Sequence, residues 1–370
     1  MIPYRLNPLG TFNTTISTDP KYGIRGVFVL SGGTTVSSGM IVSGAVLLAE
    51  TTNVMRVWRG GSAVAAQLNG STSAFVSRGG IARQTAVNSS GRLYVTGDGV
   101  ASGTEIKSRG WLYLSGGVAV STIVSGGGSM TLSGGSAYSA TVLSGGELYG
   151  SSGAKIVDAV VSSGAYIALT SGGTAVGITL HSGTNFSVVR GQFASRTTVM
   201  SGASHTISSG AVSLDITHSN GGIIYFSPLF GPDSATEITG SNQRGAFAVS
   251  SGHASNFILS GGTQIVSYGG IAESSVIAST ATQSIGNGGS AMTTLISSGG
   301  RQYVDSSGVS TGAEVLSGGS VIVSLGGGAS GITLSSGAYL IVYGGGSALA
   351  VSSNAGAIVT SNAGAVIEYV

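Results

Sequence analysis

Residues 297–328 read SSGGRQYVDSSGVSTGAEVLSGGSVIVSLGGG. Clusters of Ser and Gly recur through this stretch, and between them lie short runs of Val, Leu, Ile, Tyr and Ala. Marking the glycines onward gives Gly299-Gly300, Gly308, Gly318-Gly319, Gly327, Gly337, Gly345, Gly356 and Gly364. The steps alternate between about eight and about eleven residues, so two steps make a larger repeat of about nineteen. A second window, from Gly116-Gly117 through Gly127, Gly134-Gly135, Gly145-Gly146, Gly153, Gly164 and Gly172-Gly173 to Gly183, keeps the same beat.

The segments between the turns have strand chemistry. Tyr166-Ile167-Ala168-Leu169, Val321-Ile322-Val323 and Leu340-Ile341-Val342-Tyr343 are short and rich in β-branched and aromatic residues. Helix is disfavoured, because a glycine every nine residues or so costs about 1 kcal/mol each relative to Ala. No window carries a sustained apolar stripe of helical period. Short strands at a fixed period, joined by turns worded almost alike, predict a parallel β-solenoid with two or more strands and two Gly-rich corners per rung. A β-sandwich or barrel also places strands 8–12 residues apart, but does not repeat its turns so closely. On a rung spacing of ~4.8 Å, about eighteen rungs over 27–370 would make a rod of about 85 Å. Val, Ile and Leu are expected inside, with small Ala, Ser and Gly outside.

Composition narrows the function classes. The chain has 370 residues, 65 of them Gly and 5 Pro; 41% are hydrophobic and 8% charged. Disordered linkers have low hydrophobicity and high charge, and this chain has neither. Collagen needs a strict three-residue glycine period and abundant proline. Cysteine is absent, which excludes disulfides and thiolate sites and suits an exported protein. A net charge of +2 is too small to argue for nucleic acid. The charge is uneven, however, being +6 over residues 1–110 and −4 over 111–370. Arg56, Arg59, Arg78, Arg83, Arg92 and Arg109 are spaced along the first third, as a solvated basic face or as a patch that meets an anionic glycan. No stretch reaches the ~18–20 apolar residues of a membrane-spanning helix. The opening MIPYRLNPLGTFNTT has no basic segment followed by an apolar one, so no secretory signal is expected there.

Two regions leave the pattern. Residues 1–26 hold Pro3, Pro8 and Pro20 and predict an N-terminal cap or attachment segment covering the end of a solenoid over 27–370. Residues 211–248 hold Pro228 and Pro232 and crowd Tyr225, Phe226, Leu229 and Phe230 together. They are expected to be an insertion or an irregular rung, with Tyr225, Phe226, Phe230 and Asp233 as a candidate binding cluster. Ile2 and Tyr4 at one end, and Val366, Ile367 and Tyr369 at the other, are candidate assembly edges.

Catalytic chemistry finds little material. Glycan hydrolysis needs two carboxylates facing one groove; the irregular segment offers Asp233 and Glu237, with Asp215 and His218 nearby. His181, His205, His218 and His253 lack metal-ligand spacing, and Gly97-Asp98-Gly99 is a lone echo of a calcium repeat. No cofactor or metal site is expected. Tyr94, Tyr113, Tyr138, Tyr149, Tyr166, Tyr303, Tyr339 and Tyr343 are spread along the chain, as packing residues or as platforms for sugar rings.

The wording of 267–348, SYGGIAESSVIAST through GAYLIVYGGGSA, resembles the repeats of AIDA-type autotransporter adhesin passengers of Gram-negative bacteria. Gly299-Gly300-Arg301-Gln302-Tyr303-Val304 and Thr293-Thr294-Leu295 carry the likeness. The resemblance implies a right-handed β-helix on the bacterial outer surface, without enzymatic activity. It implies adhesion to glycans or proteins of host or neighbouring cells, self-association or biofilm formation, and glycosyltransferase modification of Ser and Thr. The family's signal peptide and translocator barrel are not visible in this sequence. An excised passenger, a self-assembling extracellular filament or a phage-tail fibre joined through its termini therefore stand beside a polysaccharide-degrading β-helix as alternatives.

Overall fold

The computed structural model describes residues 11–12, 24–30, 33–36, 40–48, 53–58, 60–170, 172–208, 210–219, 222–227, 237–242, 246–249 and 252–370. These fall into two compact units, Met1–Thr179 and Leu180–Val370. Each is a parallel β-solenoid, and the described residues contain strands and turns but no α-helix.

Every regular rung has three short strands. One is Arg301–Val304, the next Val309–Thr311, the third Glu314–Val315. Each pairs in parallel with its counterpart nineteen residues on, as Gln302 with Val321, Ser310 with Ala329 and Val315 with Leu334. The same three sides recur in the first unit, where Leu93 pairs with Leu112, Ala101 with Ala119 and Ile106 with Val124. The three-sided rung explains the uneven glycine spacing. The short step spans the longest strand, and the long step spans the two shorter strands together.

The corners show why two turns are loud in the sequence and the third is quiet. Ser297 to Gly300 form a tight turn closed by the Gly300 amide on the Ser297 carbonyl at 2.9 Å. Gly299 has φ +78°, which a type II turn demands at its third position. A Cβ on Gly299 would also strike the Ser279 carbonyl of the preceding rung, and one on Gly300 the Ile277 carbonyl. The third corner is a single left-handed residue and is often not glycine: Ala65, Gln84, Ser121, Ser139 and Asp158 in the first unit, Ser274, Thr293 and Ala350 in the second.

Three aliphatic columns and one alanine column build the core of the first unit. The longest strand turns Leu93, Leu112, Met130 and Leu148 inward, beside Val95, Leu114 and Leu132; the shortest contributes Val87, Ile106, Val124 and Val142. The three-residue strand stacks Ala63, Ala82, Ala101, Ala119 and Ala137, all fully or almost fully buried. Alanine is thus an inner residue here, contrary to the expectation that it sits outside, because this side has room for no more than a methyl group. The exception is informative. Ile156 occupies the alanine column, and the longest strand of the same rung answers with Gly150. A Cβ on Gly150 would lie 2.9 Å from Leu169 Cδ2 and 3.2 Å from Ile156 Cδ1.

In the second unit the longest strands form a three-stranded and a seven-stranded sheet. Val212–His218 and Ile223–Ser227 pair with the strands before them, and Glu237–Asn242 continues from Val212–His218 through a register shift. Residues 228–236 lie outside the described residues. The core here admits polar groups. Gln264, Gln283 and Gln302 are fully buried one above another. Gln283 Nε2 donates to Gln264 Oε1 at 2.7 Å, and Gln302 Nε2 to Gln283 Oε1 at 2.8 Å. Ser310 Oγ donates to Gln302 Oε1 at 2.8 Å. His205 is fully buried, stacked on Phe186 with ring centroids 5.2 Å apart. Its Nδ1 meets the Phe186 carbonyl at 2.9 Å and its Nε2 meets Ser213 Oγ at 2.8 Å.

Burial lowers the His205 pKa to about 4, against a smaller upward pull from the Phe186 carbonyl. The ring is therefore neutral in the fold, and the unfolded chain, titrating near 6.5, takes up its proton first on acidification. The stability this group contributes is complete above about pH 6.5 and is lost as pH falls toward about 4, some 3 kcal/mol in all. Urea midpoints measured from pH 7.5 to 4 should fall across that window, and His205→Phe, which keeps the stack on Phe186, should flatten the fall. In the first unit, Gly150→Val should cost about 1–3 kcal/mol through overpacking. Adding Ile156→Ala should restore most of it, a coupling that a double-mutant cycle on urea midpoints reads directly.

Candidate functional site

A groove on the second unit is a product of register. The outward residues of successive longest strands align as Arg301, Ser320, Tyr339 in one column and Tyr303, Ile322, Ile341 in the next. The middle rung presents Ser320 and Ser324 where its neighbours present Arg301, Tyr339 and Tyr343. A trough of about 470 Å³ one rung wide results, with Arg301 and Tyr303 on one bank and Tyr339, Ile341 and Tyr343 on the other. Gly299 and Gly318 keep one end open. Tyr339 is 39% exposed and Tyr343 45%. Two hydroxyl groups, one guanidinium, three phenols and an isoleucine floor make a surface that holds a narrow amphipathic ligand by stacking and hydrogen bonds. Its lining contains no carboxylate and no histidine, the groups that acid–base hydrolysis of a glycan requires.

A smaller hollow of about 170 Å³ lies beside it, lined by Ile265, Ser267, Ser284, Asn287, Asp305 and Ser306 among others. Ser284 Oγ reaches Asp305 Oδ2 at 3.5 Å, which leaves Asp305 as the single carboxylate of that hollow.

The corners carry a second repeated feature. Ser144 and Ser163 in the first unit, and Ser182, Ser201, Ser298, Ser317 and Ser336 in the second, occupy equivalent exposed corner positions. Each precedes a glycine of positive φ. On successive rungs within each unit these serines set a hydroxyl at the outer edge.

The residues singled out from sequence are placed as follows. Tyr225 and Phe226 lie in Ile223–Ser227, their backbones paired with Thr206 and Ile207; Phe230 and Asp233 lie outside the described residues, as do Ile2 and Tyr4. Val366 and Tyr369 are 53% and 54% exposed in the last rung, and Ile367 packs against the core. His218 is buried with Nε2 on the Gly222 carbonyl, while Asp215 is exposed at a corner, so the two share no cleft. His253 Nε2 faces Glu273 Oε2 at 2.9 Å. The described residues contain no group of three or more His, Asp or Glu able to hold a metal. On the first unit, burial and then the Glu147 carboxylate raise the Tyr149 pKa above its usual value, which keeps that phenol protonated at any physiological pH. The groove itself was missed in sequence: its tyrosines were noted, but the serines between them make the hollow, and only the nineteen-residue register reveals them.

The family model described as adhesin of bacterial autotransporter system, probable stalk, matches residues 239–300. Among solved structures, the TibC-catalyzed hyper-glycosylated TibA 55–350 fragment is similar at 33% identity and a TM-score of 0.60, covering 80% of this chain and 99% of that one. The surface protein and adhesin PfbA of Streptococcus pneumoniae aligns at 7% identity with a TM-score of 0.21, over 75% of this chain and 91% of that one, too low for a shared fold to follow. No curated protein matches the sequence. With its nineteen-residue rungs and this identity over four fifths of its length, the chain belongs to the AIDA-type autotransporter adhesins of the bacterial outer surface, as a passenger solenoid.

Proposed function

We propose that this chain is a non-enzymatic adhesin whose corner serines accept sugars from a glycosyltransferase and whose groove at Tyr303, Tyr339 and Tyr343 contacts glycans of a host or neighbouring cell. The observation that carries the reading is the likeness to a hyper-glycosylated fragment, together with exposed corner serines that recur on successive rungs. Serines at a rigid corner stand clear of the ladder hydrogen bonds, so a sugar added there displaces no backbone partner. Thr11–Phe12 pairs with Val29 and Leu30, which supports the reading of the N-terminal segment 1–26 as a cap.

Two measurements test this. Co-expression with the TibC glycosyltransferase should raise the intact mass in whole-sugar steps, and the triple variant Ser298→Ala, Ser317→Ala, Ser336→Ala should carry about three fewer. An unmodified mass would overturn the acceptor role. On an array of neutral glycans, Tyr339→Ala should lose most of the wild-type signal, on the order of tenfold in affinity, with its glycosylation unchanged. An equal signal would remove the groove from adhesion.

A further inference from the structure

The outward face of the longest strands in the first unit is built differently from the groove. Phe75, Tyr94 and Tyr113 occupy one column on three successive rungs. Phe75 and Tyr94 stack with centroids 4.8 Å apart and planes 7° apart; Tyr94 and Tyr113 stack at 5.3 Å and 12°. These separations are close to the rung spacing of about 4.8 Å, so the ring planes lie across the stack and their flat faces are covered by one another. The two outer faces of the stack, one on Phe75 and one on Tyr113, have no partner ring within the column. Trp111 closes the cluster edge-on to Tyr113 at 6.1 Å and 82°.

Ring edges carry the positive part of the aromatic quadrupole. Cations stand among them. The Arg92 guanidinium lies 5.1 Å from the Trp111 ring centroid, and Arg56 is the exposed residue that precedes Phe75 in its column. Lower on the same unit, Arg78 lies 5.0 Å from the Trp58 ring. From Val54–Val57 to Trp111–Ser115 the outward columns hold no carboxylate; the first is Glu147, two strands beyond Trp111. The nearby acids stand elsewhere, Asp98 at a corner and Glu105 beside Lys107 at 3.5 Å on another side.

We infer that this face is a binding site for a linear polysaccharide that contains uronic acid. Trp111 is 39% exposed and offers ring surface to a sugar, while the Arg92 guanidinium beside it seeks a carboxylate, so the pair fits a sugar acid better than a neutral sugar. Arg56 stands two rungs before Arg92 and in the neighbouring column, its guanidinium reaching back toward Gly33, so Arg92 is the cation that stands with the aromatic cluster. A guanidinium fork meets a carboxylate in two hydrogen bonds, a geometry that an ammonium does not reproduce. The face belongs to the first unit and needs no sugar attached to the chain.

The test uses the full unglycosylated chain and hyaluronan oligosaccharides, whose charge is one carboxylate per disaccharide. Titration calorimetry should show binding that weakens with salt. Arg92→Ser and Trp111→Ala should each weaken it roughly tenfold, and Arg92→Lys should recover only part of the Arg92→Ser loss. Arg83→Ser removes the same charge from a different side of the rung and should change affinity by less than about threefold. Unchanged thermal melts of the variants separate lost binding from lost folding. The inference is overturned if hyaluronan does not bind, if dextran or polyglutamate binds as well as hyaluronan, or if Arg83→Ser matches Arg92→Ser. It is also overturned if Trp111→Ala leaves hyaluronan binding intact and alters only the sedimentation mass, which would make the face a contact between copies of the chain.

Discussion

The backbone hydrogen bond between one rung and the next is the interaction on which the rest depends, and it continues through the corners. Along the strands the amides reach back, as Arg301 to the Ala281 carbonyl at 3.0 Å and Ser320 to the Gly300 carbonyl at 3.1 Å. At the left-handed corners the peptide is turned over and the amides reach forward: Gly299 to the Gly318 carbonyl at 2.9 Å, Thr293 to the Thr311 carbonyl at 2.8 Å. A parallel stack that left its corners unpaired would orphan several donors per rung. The positive φ of the corner residues is therefore what lets a thin, three-sided coil satisfy its own backbone.

Two corners were legible in the sequence because glycine supplies their conformation. The third was not, since Gln84, Ser139, Asp158 and Thr293 adopt it without being glycine. That is why the rung read as two-cornered. The inner alanine column was also hidden, as alanine is at home on either face of a strand and only the register separates Ala101 from Ala168. The adhesin family, by contrast, could be recognised from the Ser-Gly wording, because that wording is a direct record of the loud corners. The groove and the aromatic face share one cause of illegibility: each is made by residues nineteen apart, and neighbours along the chain point to opposite sides.

The same geometry suits an adhesin. A solenoid that bonds each rung to the next turns a single outward residue into a column. Serines become a line of hydroxyls, and a pair of serines between tyrosines becomes a trough. Recognition surfaces can then be written in widely separated, individually ordinary residues, while the ladder beneath them stays the same. Charge is sparse, so the few arginines that appear on an outer face act against little competing charge.

The buried glutamine column bears on how such a chain changes length. Gln264, Gln283 and Gln302 are nineteen residues apart and bond in one direction, each amide giving its proton to the one before. Loss of the nineteen residues that carry Gln283 would bring Gln302 against Gln264 with donor facing acceptor, and the column would close over the gap. Gly150 and Ile156, which must match in width, lie in one rung and would leave or be copied together. Recombination between repeats therefore meets joints that are already compatible, and a gene of this design can be shortened or lengthened by whole rungs while its interior stays sealed.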